Sequence, residues 1–72
     1  MKTVIITTEY IKLQDLLKFA SLVSTGGEAK LVIAEGAVTV NGETCTQRGK
    51  KIRPDDMVVF RGHDLTVAYA DQ

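Results

Sequence analysis

Seventy-two residues, 44% hydrophobic and 25% charged, suffice for one small globular domain and are too rich in Val, Ile and Leu for a disordered chain. Nine cations against nine anions exclude the overall basic charge of an indiscriminate polyanion binder. One cysteine, Cys45, excludes an internal disulfide, and neither a signal peptide nor a membrane-spanning run of roughly 20 apolar residues is present, so a soluble cytoplasmic protein is expected.

Residues 2–7 are rich in β-branched side chains and read as a strand. The period then changes. Leu13, Leu16, Leu17 and Ala20 stand at i, i+3, i+4 and i+7, which predicts a helix over about 11–20 with Lys12 and Lys18 off its apolar face. Thr25-Gly26-Gly27-Glu28 matches a capping box and opens a second helix of about ten residues, with Ala29, Val32 and Ile33 inward and Gly36 as its stop. Ala37 to Val40 alternates, Asn41-Gly42 is a strong hairpin signal, and Glu43 to Thr46 is the expected return strand. The segment after it reads as a loop anchored by Ile52. Pro54-Asp55-Asp56 reads as a type I turn, Met57 to Phe60 as a strand, and Arg61-Gly62-His63-Asp64 as a turn before a last strand in which Leu65, Val67 and Tyr69 alternate. Phe19 and Phe60 are assigned to the core and Cys45 to a buried strand position. The expected fold is α+β: a single domain over 1–72, with two consecutive helices packed on a small, mostly antiparallel sheet.

The charges are unevenly placed. Lys12, Lys18, Lys30, Arg48, Lys50, Lys51 and Arg53 are seven of the nine cations, and the run from Arg48 to Arg53 puts four into six residues with no acid among them. Such a run can neutralise phosphates and release their condensed counterions. Gly26 and Gly27, at a helix start, are candidates for offering backbone N–H groups to a phosphate. No nucleotide-binding loop or nucleophile–base constellation can be assembled. His63 and Cys45 lack the partners of a metal site, and Asp55-Asp56 is turn chemistry. No catalytic, cofactor or metal residue is expected.

Leu13 and Leu17, then Gly27-Glu28-Ala29-Lys30, Ile33, Gly36, Val38, Val40-Asn41-Gly42, Ile52 and Asp56 together resemble the S-four-type RNA-binding domain over about residues 11–60. Gly26-Gly27 and Arg48-Gly49-Lys50-Lys51 are most similar to its short stand-alone bacterial members. The resemblance implies that both helices and the adjoining hairpin face structured RNA, ribosomal or transfer RNA, without catalysis. By position, Lys12, Lys30, Arg48, Lys50 and Lys51 would touch its backbone, with Arg53 part of the same run and Asn41 a polar contact. Two positions depart from the family pattern: Gly27-Glu28 replaces a Ser-Arg or similar pair, and Asp55 replaces a glycine. The implied partners are RNA, the ribosome or an RNA-modifying enzyme; the sequence leaves the oligomeric state open, and a small neutral domain favours a monomer.

Val40-Asn41-Gly42-Glu43 followed by Pro54-Asp55-Asp56-Met57-Val58 also resembles the β-grasp sulfur carriers of thiamine and molybdopterin synthesis. Those proteins need a C-terminal Gly-Gly, and this chain ends Tyr69-Ala70-Asp71-Gln72. A protein-interaction module is the related alternative.

Overall fold

The computed structural model describes residues 2–70. In chain order the elements are β1 (Lys2–Ile6), β2 (Ile11–Lys12), α1 (Leu13–Phe19), α2 (Gly26–Ala34), β3 (Val38–Val40), β4 (Glu43–Thr44), β5 (Lys51–Ile52), β6 (Met57–Phe60) and β7 (His63–Tyr69). Five strands form one sheet in the order β1-β7-β6-β3-β4, while β2 and β5 form a separate two-stranded ladder. All pairings are antiparallel except that of β1 with β7, the first and last strands of the chain, which run parallel. The expected α+β architecture is therefore present, as a mixed sheet with one parallel pair.

The helix-forming periodicity places the core. Leu13, Leu16 and Leu17 of α1 and Ala29, Val32 and Ile33 of α2 are buried against Val38, Val58, Phe60, Leu65 and Val67 of the sheet. Alternation along each strand leaves the other sheet face to Thr3, Ile5, Met57, Val59 and Thr66. Lys2, the one cation within the five strands, reaches the helix side, where its ammonium donates to Ala20 O at 3.0 Å.

Both helices end in the same way. After α1, Ser21 N–H donates to Lys18 O and Leu22 N–H to Leu17 O; after α2, Gly36 N–H donates to Ile33 O and Ala37 N–H to Val32 O. This is the Schellman arrangement, with Ser21 (φ 61°) and Gly36 (φ 79°) in the left-handed conformation. At the start of α2, Thr25 Oγ1 accepts from Glu28 N–H at 3.1 Å, while the Glu28 carboxylate accepts from Ser24 N–H, one residue earlier than the standard box, at 2.8 Å.

Several expectations are corrected. Helix α1 starts at Leu13 because Ile11 and Lys12 are extended and paired with β5. Phe19 is 68% exposed: its position lies well off the stripe of Leu13, Leu16, Leu17 and Ala20. Strand β4 stops at Thr44, so Cys45 is half-buried beyond it rather than within a strand, its N–H donating to Val38 O. His63 and Asp64 already belong to β7, paired with Phe60 and Val59, so the turn there is only Arg61-Gly62. Asp55 takes φ 78°, with Asp56 N–H donating to Arg53 O, the type II geometry that glycine usually fills, and not type I.

The burial pattern sets an expected contrast. Leu16→Ala should cost about 2–5 kcal/mol by leaving a cavity among the helices and sheet. Leu31→Ala, on the exposed face of α2, should change stability by less than about 0.5 kcal/mol; urea denaturation of the two variants checks this.

Candidate nucleic-acid interface

The basic segment is held by its backbone. Leu13 N–H donates to Lys50 O at 2.9 Å and Gln14 N–H to Arg48 O at 3.1 Å, so two orphan donors of α1's first turn are satisfied by the loop's carbonyls. Next to them Ile11 pairs with Ile52 and Lys12 with Lys51 across the β2–β5 ladder. Ile52 is fully buried and fastens the segment to the core, as its apolar side chain between cations implies. The cations of the run all remain exposed around this anchor.

This arrangement works against local stability. Lys12 and Lys51 stand directly opposite one another, a like-charge pairing that destabilises a ladder. Lys12 is also the N-cap of α1, makes no side-chain capping bond, and lies at the end of the helix that disfavours cations. Tyr10 provides partial compensation: Lys51 Nζ lies 5.0 Å and Arg53 Cζ 5.8 Å from its ring centroid.

A second device ties the hairpin to the segment after the loop. Asn41 and Gly42 both have positive φ, as a two-residue hairpin turn requires. The Asn41 amide donates to Asp56 Oδ1 at 3.0 Å, its Oδ1 accepts from Met57 N–H at 2.9 Å, and Asp56 Oδ2 accepts from Arg53 N–H at 2.9 Å. Burial alone would raise the pKa of Asp56. The Arg53 N–H and the Asn41 amide, with the Lys50 and Arg53 charges, outweigh it and hold the carboxyl below its ordinary value. Between hairpin and loop runs an open groove of about 650 Å³, lined by Glu43, Thr44, Gln47, Lys50, Lys51 and Arg53 among others.

Of the residues singled out from sequence, Lys12, Arg48, Lys50, Lys51 and Arg53 are brought together by this anchoring. Asn41 lines the same groove, its side chain engaged with Asp56 and Met57. Gly26, Gly27 and Lys30 lie on α2, all exposed, outside that unit. A Cβ on Gly26 would sit 4.0 Å from Lys18 Nζ, and Lys30 follows one turn later on the same face, so Lys18 and Lys30 flank that helix face together. Tyr10 and Lys18 were not among the candidate contact residues. Tyr10 gains its role only from the β2–β5 ladder, two residues per strand and invisible to any periodicity, while Lys18 was legible as an off-face cation on α1. Among the described residues no cluster of three or more His, Cys, Asp or Glu could hold a metal, and no helix is long and apolar enough to cross a membrane.

A family model for the S4 domain matches residues 4–68. YbcJ of Escherichia coli K12 is 40% identical over 58 residues, covering 81% of this chain and 83% of that protein. RlbA of Bacillus subtilis 168, named a probable ribosome maturation protein, is 40% identical over 57 residues, covering 79% of this chain and 80% of its own. The solution structure of E. coli YbcJ, described as revealing an alfaL motif involved in RNA-binding, superposes with a TM-score of 0.72 at 36% identity, over 94% of this chain and 87% of that one. The 30S ribosomal protein S4e of Thermoplasma acidophilum shares the fold, with a TM-score of 0.68 at 24% identity over 92% of this chain and 35% of that one.

Two outcomes are expected of the geometry. Lys12→Glu should raise stability by about 0.2–1 kcal/mol at low salt, by turning a like-charge pair into an opposite one at a helix start; urea midpoints at low and high salt check it. Because the folded pKa of Asp56 is depressed, its contribution is fully present above the unfolded carboxylate value near 3.9 and is lost as pH falls through the folded value. Asp56→Asn should therefore lower the urea midpoint at pH about 7, and the gap to wild type should close on acidification below about pH 4.

Proposed function

We propose that this chain, a member of the S4 domain family, is a non-catalytic RNA-binding protein that grips the phosphate backbone of structured RNA and serves in ribosome maturation. The observation that carries this reading is the opposition of Lys12 and Lys51 at the mouth of α1. An arrangement that costs stability when empty becomes favourable when a phosphate lies between the two ammonium groups. Lys50 and Arg53 extend the positive surface along the groove between loop and hairpin, Arg48 is held at the first turn of α1, and Lys18, which also pairs with Asp15 at 3.5 Å, offers with Lys30 a second contact on the helical side. The family match, with both helices preceding the hairpins, favours this reading over the sulfur-carrier alternative.

The RNA-binding motif of YbcJ and the maturation role in the name of RlbA support RNA as the partner and ribosomal RNA as its class. Net neutrality of the chain suits recognition of a particular fold of RNA rather than coating of any polyanion, because the acidic residues elsewhere limit nonspecific attraction. The two helical cations and the loop would then span separate phosphates, so that shape, rather than base sequence, decides the fit.

The test is a salt titration of binding to fragments of ribosomal RNA. With about four to six phosphates engaged, log Kd against log salt should have a slope of roughly 3 to 5 in magnitude. Lys50→Ala and Lys51→Ala should each lower that slope by about one, and Lys12→Glu should weaken binding while stabilising the fold. Affinity independent of salt between dilute and physiological buffer would sink the proposal.

A further inference from the structure

Backbone recognition leaves one part of α1 unexplained. Lys12, Asp15 and Phe19 fall at i, i+3 and i+7 and share one flank of the helix. With Thr8, Glu9, Tyr10 and Ile11 they line a cleft of about 550 Å³. Two aromatic residues meet there: Phe19, 68% exposed, and Tyr10, whose ring already carries Lys51 and Arg53. Lys51 also lines the groove between loop and hairpin, so a strand of RNA following that groove arrives at the cleft.

The lining selects the occupant. Glu9 repels a phosphate, and so does Asp15 in part, since its Oδ1 lies 3.5 Å from Lys18 Nζ; the cleft therefore does not simply extend the cationic surface. A nucleobase fits on every count: it is neutral, its faces stack on aromatic rings, and its amino group donates to a carboxylate. Lys12 in the lining, and Lys51 over the Tyr10 ring beside it, are placed for the phosphates on either side of it.

We propose that the cleft between Tyr10 and Phe19 receives one unpaired nucleobase of the bound RNA, with Glu9 and Asp15 accepting from its exocyclic amine. Guanine, adenine and cytosine carry that amine and uracil does not, so the site discriminates against uridine. The inference rests on the RNA-binding reading above and adds base recognition to a grip otherwise made of phosphate contacts.

The experiment titrates the full chain against a fluorescently labelled RNA hairpin with one bulged guanosine, and against the same hairpin with uridine or an abasic sugar at the bulge. The abasic hairpin should bind about tenfold more weakly, the scale of one base stacked on an aromatic side chain, and the uridine hairpin should fall between the two. Phe19→Ala, a change at an exposed position, should erase these differences. Phe19→Trp, in a chain that has no tryptophan, should restore them, and its fluorescence should be quenched by the guanosine hairpin but not by the abasic one. Equal, salt-sensitive binding of guanosine and abasic hairpins, or a preference unchanged in Phe19→Ala, would overturn the base site and leave the phosphate grip standing. Failure to bind any of the hairpins at low salt would overturn the RNA-binding reading itself and this inference with it.

Discussion

The docking of a charged loop onto the start of a short helix organises the cationic side of this molecule. A run dense in cations repels itself and on its own would sample many conformations. Here Lys50 O and Arg48 O accept from the first turn of α1, and the buried side chain of Ile52 holds the next residue to the core. These contacts involve backbone and apolar atoms only. They set the positions of Lys12, Lys50 and Lys51 relative to one another, and so fix the spacing of charge that a partner meets. Without them the same residues would form a loose polycation with no shape to read.

Charge is segregated by the fold as well as by the loop. The five strands contain a single cation, and its ammonium is turned to the helix side, onto Ala20 O. The opposite sheet face offers Thr3, Ile5, Met57, Val59 and Thr66, which attract no phosphate. A chain with zero net charge can thus gather Lys12, Arg48, Lys50, Lys51 and Arg53 around one anchored segment, while an acid beside them, Asp56, is occupied in fixing turns.

Long-period features of the sequence translated directly into structure. The leucine spacing of α1, the Thr25–Glu28 cap, the stop at Gly36 and the Asn41-Gly42 turn each follow from local physics, and each is found where the pattern puts it. What escaped depends on contacts distant in the chain. The β2–β5 ladder pairs residues about forty positions apart with only two residues on each side, too short for any alternation to register. It alone brings Lys12 opposite Lys51 and Tyr10 under two cations. Phe19 was misplaced for the opposite reason: residue type outweighed angular position, although its spacing from Lys12 and Asp15 already set it on an exposed flank. The positive φ of Asp55 reflects a demand of the turn that Asp meets in place of glycine.

The loop's attachment through carbonyl oxygens has an evolutionary consequence. Every amino acid supplies the same carbonyl, so the side chains of residues 48 and 50 take no part in the bonds that attach the loop to α1. Descendants of this chain can exchange lysine, arginine or a neutral side chain there and adjust tightness of attachment in small steps, with foldability preserved. Positions such as Ile52, where the side chain itself is the anchor, have no such latitude.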